Sequence, residues 1–280
     1  MDILFSTLAK FRSELPSLFS HNKDAALNLL DSLTCDLSSS HIVELSLNPE
    51  YPRNYSSISH AISSYYKPRS ESAASCKEAR RKANKRIENT LCKYLNMSHS
   101  SDYNVFAIDV TPHKRPFSPK LEDKGFVHAN DSTPGKKPIA IGYAYSCVAF
   151  ITQENHWAPP LAYDRVPTSE NAAVFGVRQW CRIIQDTKNG FHSKSSFGVF
   201  DAAYSNPRAI HAFNTLTENQ IGTAVFIARL RADRILARPS QKTPNGKRGR
   251  NASYDIPITL QDTDVLMLEH QVFSYSCTAS

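Results

Sequence analysis

No CxxC pair, no glycine-rich phosphate loop and no long apolar run occurs in this 280-residue chain. Each absence narrows the field. Without a run near ~20 apolar residues, a membrane-spanning helix is not expected. The N-terminal stretch "MDILFSTLAKFRSELPSLF" is interrupted by Lys10, Arg12 and Glu14 too early for the apolar core of a secretory signal. The six cysteines and ten histidines are scattered, and none has the paired short spacings of a zinc site. The cysteines read as reduced thiols of an intracellular protein. With no GxGxxG or Walker loop, a phosphate-binding metabolic α/β enzyme is a remote reading. Nine glycines and sixteen prolines show no collagen-like or low-complexity pattern.

What is present begins with charge. The net charge is +7, and residues 229–250, "RLRADRILARPSQKTPNGKRGR", hold eight of the 33 Lys/Arg and one of the 26 Asp/Glu. The rest of the chain then balances, with 25 basic and 25 acidic residues. A local excess of this kind is either a solvated loop or a surface for a polyanion such as nucleic acid.

Residues 1–98 read as helical. In "SCKEARRKANKRIENTLCKYLN", Ala79, Ala83, Ile87 and Leu91 form an i, i+4 row with Tyr94 and Leu95 beside it. Six basic residues (Lys77, Arg80, Arg81, Lys82, Lys85 and Arg86) crowd the first half of that helix, as a solvated face or a DNA-backbone contact. "FRSELPSLF" and "DAALNLLDSLTC" read as short amphipathic helices, and "SSISHAISSYY" as part of a helix-turn-helix. The polar stretch "NMSHSSDYN" (96–104) is a plausible junction.

Beyond it the pattern changes to strands at 104–110, 137–152 (one long strand or two), 196–202 and 222–230. Helices are expected over 169–187 and 206–219, with Pro207 in a first turn. The order predicts a mixed α/β sheet with helices on both sides. "VFAI" and "AVFIA" are apolar without alternation, as in strands buried on both faces.

Two of these strands carry an acid. "VFAIDV" holds Asp109 and "FGVFDAAYSN" holds Asp201. A lone carboxylate at a strand end can simply face solvent or cap a turn. Two brought together on neighbouring strands repel unless a cation lies between them. Oxygen ligands of this type suit Mg²⁺.

At this point the residues resemble a family. "VFAIDVTPHKRPFSPKLEDKGFVHA", "GKKPIAIGYAYS", "FGVFDAAYSNPRAIHAF" and "AVFIARLRADRILARPS", with "NGKRGR" after them, resemble DDE transposases of bacterial insertion sequences over about residues 104–255. The resemblance implies an RNase H-like mixed sheet flanked by helices, preceded by an all-helical DNA-binding region. The corresponding division is 1–98 helical, 99–235 catalytic core, and 236–280 a basic loop with the start of a β-rich insertion. By the same likeness Asp109 and Asp201 are the first two catalytic, metal-binding acids. The metal would be Mg²⁺ or Mn²⁺, with two ions about 3.5–4 Å apart clamping the attacking and leaving oxygens of an in-line displacement.

The expected DNA contacts are Lys114 and Arg115 past the first acid, Tyr204, the strand residues Arg229, Arg231 and Arg234, and Lys247, Arg248 and Arg250 in the basic run. Tyr204 has a second reading, an aromatic packed over the helix start. The family's third acid is a Glu on a later helix. Here Glu269 in "VLMLEHQVF" is the candidate, in a segment that reads more like the insertion, so a C-terminally shortened copy is expected.

The partners implied are double-stranded DNA, as element ends and target, and a second copy of the chain. The location implied is the bacterial cytoplasm at the nucleoid, with no membrane. Two other readings stay open: a catalytically inactive DNA-binding remnant or inhibitor of transposition, and a different RNase H-like nuclease.

Overall fold

The computed structural model describes residues 2–19, 21–35, 39, 41–49, 51–66, 73–98, 101–118, 120, 122–128, 138–152, 158–217, 224–230, 235–236 and 258–259. The chain divides into two compact units, one of residues 1–100 with 186–190 and the other of 101–185 with 191–280. No helix among the described residues is long and apolar enough to cross a membrane.

The regular elements among the described residues of the first unit are helical, chiefly α1 (Asp2–Glu14), α2 (Lys23–Cys35), α3 (Ile42–Ser46), α4 (Tyr55–Tyr66) and α5 (Ala73–Ser98). Pro16 falls in a 3-10 turn after α1, where its missing N–H leaves no ladder bond unmade. The Asn54 side chain accepts from the Ser57 amide at 3.2 Å and so caps α4. Alanines at 25, 26 and 61 let α2 and α4 approach closely, with Phe19 against them. Leu45, Tyr51 and Ile58 form a second cluster. On α5 the expected stripe faces inward, with Ala83 and Tyr94 buried, and Phe11 meets Tyr94 edge-on at 5.1 Å.

Lys85, part of the basic half of α5, is engaged structurally. It pairs with the buried Glu88 and, at 2.7 Å, with Asp186. Asn189 donates to Glu88 at 3.1 Å, which fastens residues 186–190 to this helix. Beneath them burial pushes the Cys92 thiol up to about 12, with help from the Glu88 charge.

The second unit is built on a mixed sheet. Its main strands are β1 (Tyr103–Lys114), β2 (Gly125–His128), β3 (Ile139–Phe150), β4 (Pro160–Val166), β5 (Ser195–Phe200) and β6 (Ala224–Ala228). The order is β2-β3-β1-β5-β6, with β4 also on β3. β1, β3 and β4 are antiparallel neighbours, while β1, β5 and β6 run parallel. The parallel crossovers are made by α6 (Ala172–Gln185) and α7 (Pro207–Thr217). A two-residue pairing, β7 (Ile235–Leu236) with β8 (Ile258–Thr259), lies apart from the main sheet.

The strand pattern differs from expectation in two places. Residues 137–152 hold the single long strand β3, and two strands absent from the sequence reading, β2 and β4, also precede α6; the proline start and mixed polarity of β4 hid it. β2 was likewise too short to stand out. Lys114 to Gly142 pairing shows how continuous β1 and β3 are.

One face of the sheet is the core. Phe106, Ile108, Val148, Phe150 and Phe200 are buried there, as are Val177, Trp180 and Ile184 of α6, and Trp180 meets the Phe106 and Phe200 rings at 6.4 and 5.6 Å. Trp180 stacks on Phe213 of α7 at 5.7 Å, and Phe213 meets Phe226 at 5.4 Å, so both helices cover this same face. A buried polar chain crosses beneath it. Ser146 donates to Gln179 at 2.7 Å and Gln179 to Asp164 at 2.8 Å. The opposite face is not closed in the same way: Val199 is 42% and Ile227 47% exposed. These strands are thus fully buried on one face alone, and apolar runs without alternation overstate their burial.

Candidate active site

The sheet register brings the two aspartates together. In the parallel pairs, Ile108 stands beside Phe200 and Phe200 beside Ala228. The next residue on each strand is Asp109, Asp201 and Arg229. All three are exposed at the same edge. The Arg229 amide donates to the Phe200 carbonyl at 3.2 Å, which keeps the third strand in line past its end. Neighbouring strands lie about 4.8 Å apart, so two carboxylates and a guanidinium occupy one short row.

Asp201 has a local task as well. Its carboxylate accepts from the Ala203 amide at 2.9 Å and caps the 3-10 turn Ala202–Tyr204. That bond uses one lone pair of one oxygen and orients the rest of the carboxylate. The turn ends in Tyr204, which is 1% exposed. Of its two readings, the structure places the ring in the core, packed on Phe200 at 4.9 Å. It is therefore not on a surface that DNA can touch. Its hydroxyl makes no well-formed hydrogen bond and lies against Gly176, where a Cβ would meet it at 2.5 Å. Burial raises the phenol above its ordinary value, and the charges of Asp109 and Asp201 raise it further. A neutral phenol thus sits beneath both carboxylates.

Cys147 is directly across from Asp109 on β3. Burial and the Asp109 charge raise its thiol, so it stays protonated beside the acid. Residues outside the sequence reading complete the site: Cys147 stands beside Asp109 on its own face, and Gly176, Ser146 and Gln179 lie on the core side beneath it. A glycine in the middle of an otherwise strongly amphipathic helix was the one signal available for this floor.

The remaining expected site residues separate from this row. Because β1 continues as an extended strand, Lys114 stands five residues beyond Asp109, about 17 Å away at ~3.4 Å per residue. Lys114 therefore stands apart from the carboxylate row, and Arg115 follows it. Arg231, Arg234, Lys247, Arg248, Arg250 and Glu269 lie outside the described residues. Among the described residues no group of three or more His, Cys, Asp and Glu side chains converges as a metal site.

The donor set suits a hard divalent cation. Two exposed carboxylates at adjacent strand ends offer oxygens alone, and the nearby thiol is held neutral. A mixed sheet with three parallel strands, three antiparallel ones beside them and acids at the ends of two adjacent parallel strands is the RNase H-like architecture of polynucleotide-cutting enzymes. The sequence agrees. A family model described as DDE superfamily endonuclease matches residues 14–274, and the chain belongs to that family. No curated protein matches the chain. Family membership supports a nuclease or transposase type of function and a DNA substrate.

Proposed function

We propose that the chain is a DNA transposase that cuts at the ends of an insertion sequence and joins them to target DNA, with Asp109 and Asp201 as its metal-binding acids. The observation that carries this reading is the register that ranges Asp109, Asp201 and Arg229 in one exposed row. Mg²⁺, or Mn²⁺ in its place, would be held by the two carboxylates and would supply charge neutralisation and activation of the attacking oxygen at a phosphodiester.

The chain's own residues divide the remaining work. Asp109 has its backbone held by pairing with β3, and Asp201 has one carboxylate oxygen held by the amide it caps, which limits the reorganisation needed to receive a cation. Arg229 offers a guanidinium to a phosphate oxygen at the same level, as a positioning contact that reads no sequence. Tyr204 and Gly176 support the turn that carries Asp201. Glu269, Arg231, Arg234, Lys247, Arg248 and Arg250 belong to the reading as a third acid and as further DNA contacts. The helical unit, with Arg81, Lys82 and Arg86 exposed on α5, serves as the DNA-binding part. A second copy bridging two DNA ends completes the assembly.

A second reading is a remnant or inhibitor that binds DNA through the exposed basic residues of α5 without cutting it. A supercoiled-plasmid cleavage assay separates the two. Metal-dependent nicking that is lost in Asp109→Asn and in Asp201→Asn supports the enzyme. Salt-sensitive DNA binding without nicking supports the remnant. Nicking that survives both substitutions removes the site.

A further inference from the structure

The face of the sheet that bears Asp109 carries a second feature on its antiparallel side. Side chains directly opposite on neighbouring strands share a face. Asp109 therefore shares its face with Cys147 and Tyr163, and Thr111 with Tyr145 and Arg165. Further along, His113 lies opposite Tyr143, and Ile141 opposite Phe126. The result is an aromatic surface that starts two strand spacings from Asp109, about 10 Å, and runs about 20 Å along β3.

Its members are ordered against each other. Tyr145 and Tyr163 stack in parallel at 5.1 Å with an interplanar angle of 6°. His113 meets Tyr145 edge-on at 4.9 Å, and its Nε2 is 2.6 Å from the Tyr163 hydroxyl. Arg165 lies 4.8 Å from the Tyr143 ring and pairs with Asp123 at 3.3 Å. The Tyr143 hydroxyl donates to the Glu122 carbonyl at 3.0 Å, which ties Glu122 to the rim. Yet the surface stays open: Tyr163 is 47% and Phe126 84% exposed. Both helices of this unit, among the described residues, cover the other face.

Held rings that are left bare serve recognition rather than packing. The rim decides the occupant. Arg115, whose amide donates to the Ile141 carbonyl at 2.8 Å, and Lys124, just before β2, border it along with Arg165, against Glu122 and Asp123, so the edge is net positive. Aromatic faces bordered by cations, beside acids suited to phosphodiester chemistry, match a strand of DNA with unpaired bases. We infer that Tyr163, Tyr145 and Phe126 form a stacking platform for unpaired DNA bases next to the cleavage site. Stacking accepts any base, so the platform holds an opened end without reading its sequence. This rests on the reading of the chain as a DNA-cutting enzyme.

The test uses the full chain with a chelator present, so that binding is read without cleavage. A fluorescein-labelled mixed-sequence single strand and its blunt duplex are the probes, followed by anisotropy. Tyr163→Leu and Phe126→Ser should each weaken the single strand about 5- to 100-fold. Duplex binding and the salt slope stay near wild type, and Tyr163→Phe restores affinity. Phe126 lies on an exposed edge, so its variant keeps the fold and serves as the control for Tyr163→Leu.

Single-strand binding equal to wild type in both variants would overturn the platform. So would loss of self-association in Phe126→Ser with DNA affinity unchanged, which would make the surface a protein contact. Aromatic-dependent binding by a chain that never nicks DNA with metal would remove the enzyme reading and leave the platform. Nicking that requires Asp109, with aromatic-independent binding, would remove the platform alone.

Discussion

Replacing Gly176 by alanine probes the floor of the site. Alanine in the middle of a helix is ordinarily a gain of up to ~1 kcal/mol over glycine. Here the added methyl would lie 2.5 Å from the Tyr204 hydroxyl oxygen, 3.0 Å from its Cε1 and 3.2 Å from Ile108 Cγ2. Ordinary contact begins near 3.4 Å, so the phenol must retreat by about 0.9 Å. It has little space to do so, being 1% exposed and backed by Phe200. Overpacking of this kind costs about 1–3 kcal/mol, and after a helical gain of up to ~1 kcal/mol a net loss of about 0–2 kcal/mol remains. For a unit of this size that lowers Tm by up to roughly 8 °C.

Calorimetry checks the sign. The Tyr204→Phe change removes the nearest colliding atom, so in the double variant most of the loss should return, a coupling of about 1 kcal/mol. Because the turn ending in Tyr204 begins at Asp201, DNA cleavage should fall in Gly176→Ala below its melting temperature and recover in the double variant. A Gly176→Ala protein that melts above wild type would refute the close approach and with it the support assigned to Asp201.

Three further outcomes follow from the packing. Burial pushes the Cys92 and Cys181 thiols up to about 12, so peptide mapping after brief iodoacetamide treatment near neutral pH should find both unmodified while the exposed Cys35 reacts. Gln179→Leu strips Asp164 and Ser146 of their buried partner and should cost about 1–3 kcal/mol in denaturant titration. At Asp186 burial acts to raise the carboxyl, but the bonds from Lys85 and the Lys188 amide hold it below its ordinary value. A depressed carboxyl stabilises the fold above its unfolded value, near ~4, and that contribution is lost as pH falls through the folded value. Thermal melts should therefore drop below about pH 4, and Asp186→Asn should flatten that part of the profile.

The legible part of the molecule was the part with local signals. Apolar runs ending in an acid marked β1 and β5, and the spacing of Val177, Trp180 and Ile184 marked α6. The division between helical and strand-forming sequence is visible in composition alone. Pairing was not legible. That Ile108 stands beside Phe200, and so Asp109 beside Asp201, is a fact of register between segments about ninety residues apart. β4 escaped notice because Tyr163, Asp164 and Arg165 break its apolar pattern, each for a reason set by a neighbour. Tyr163 faces the aromatic surface, Asp164 meets Gln179, and Arg165 meets Tyr143. The burial of Tyr204 depended likewise on a helix glycine nearly thirty residues upstream. The length of β1 was hidden as well: a strand that runs on carries Lys114 away from Asp109, whereas a turn would have brought it back.

The most direct measurement is the affinity of the full chain for Mn²⁺, read by electron paramagnetic resonance of the free ion, for wild type, Asp109→Asn and Asp201→Asn. A shared site predicts that either substitution alone removes most of the binding, with no further loss in the double variant. Wild-type affinity in both single variants, or independent and additive losses, would contradict the claim that the two aspartates hold one cation between them.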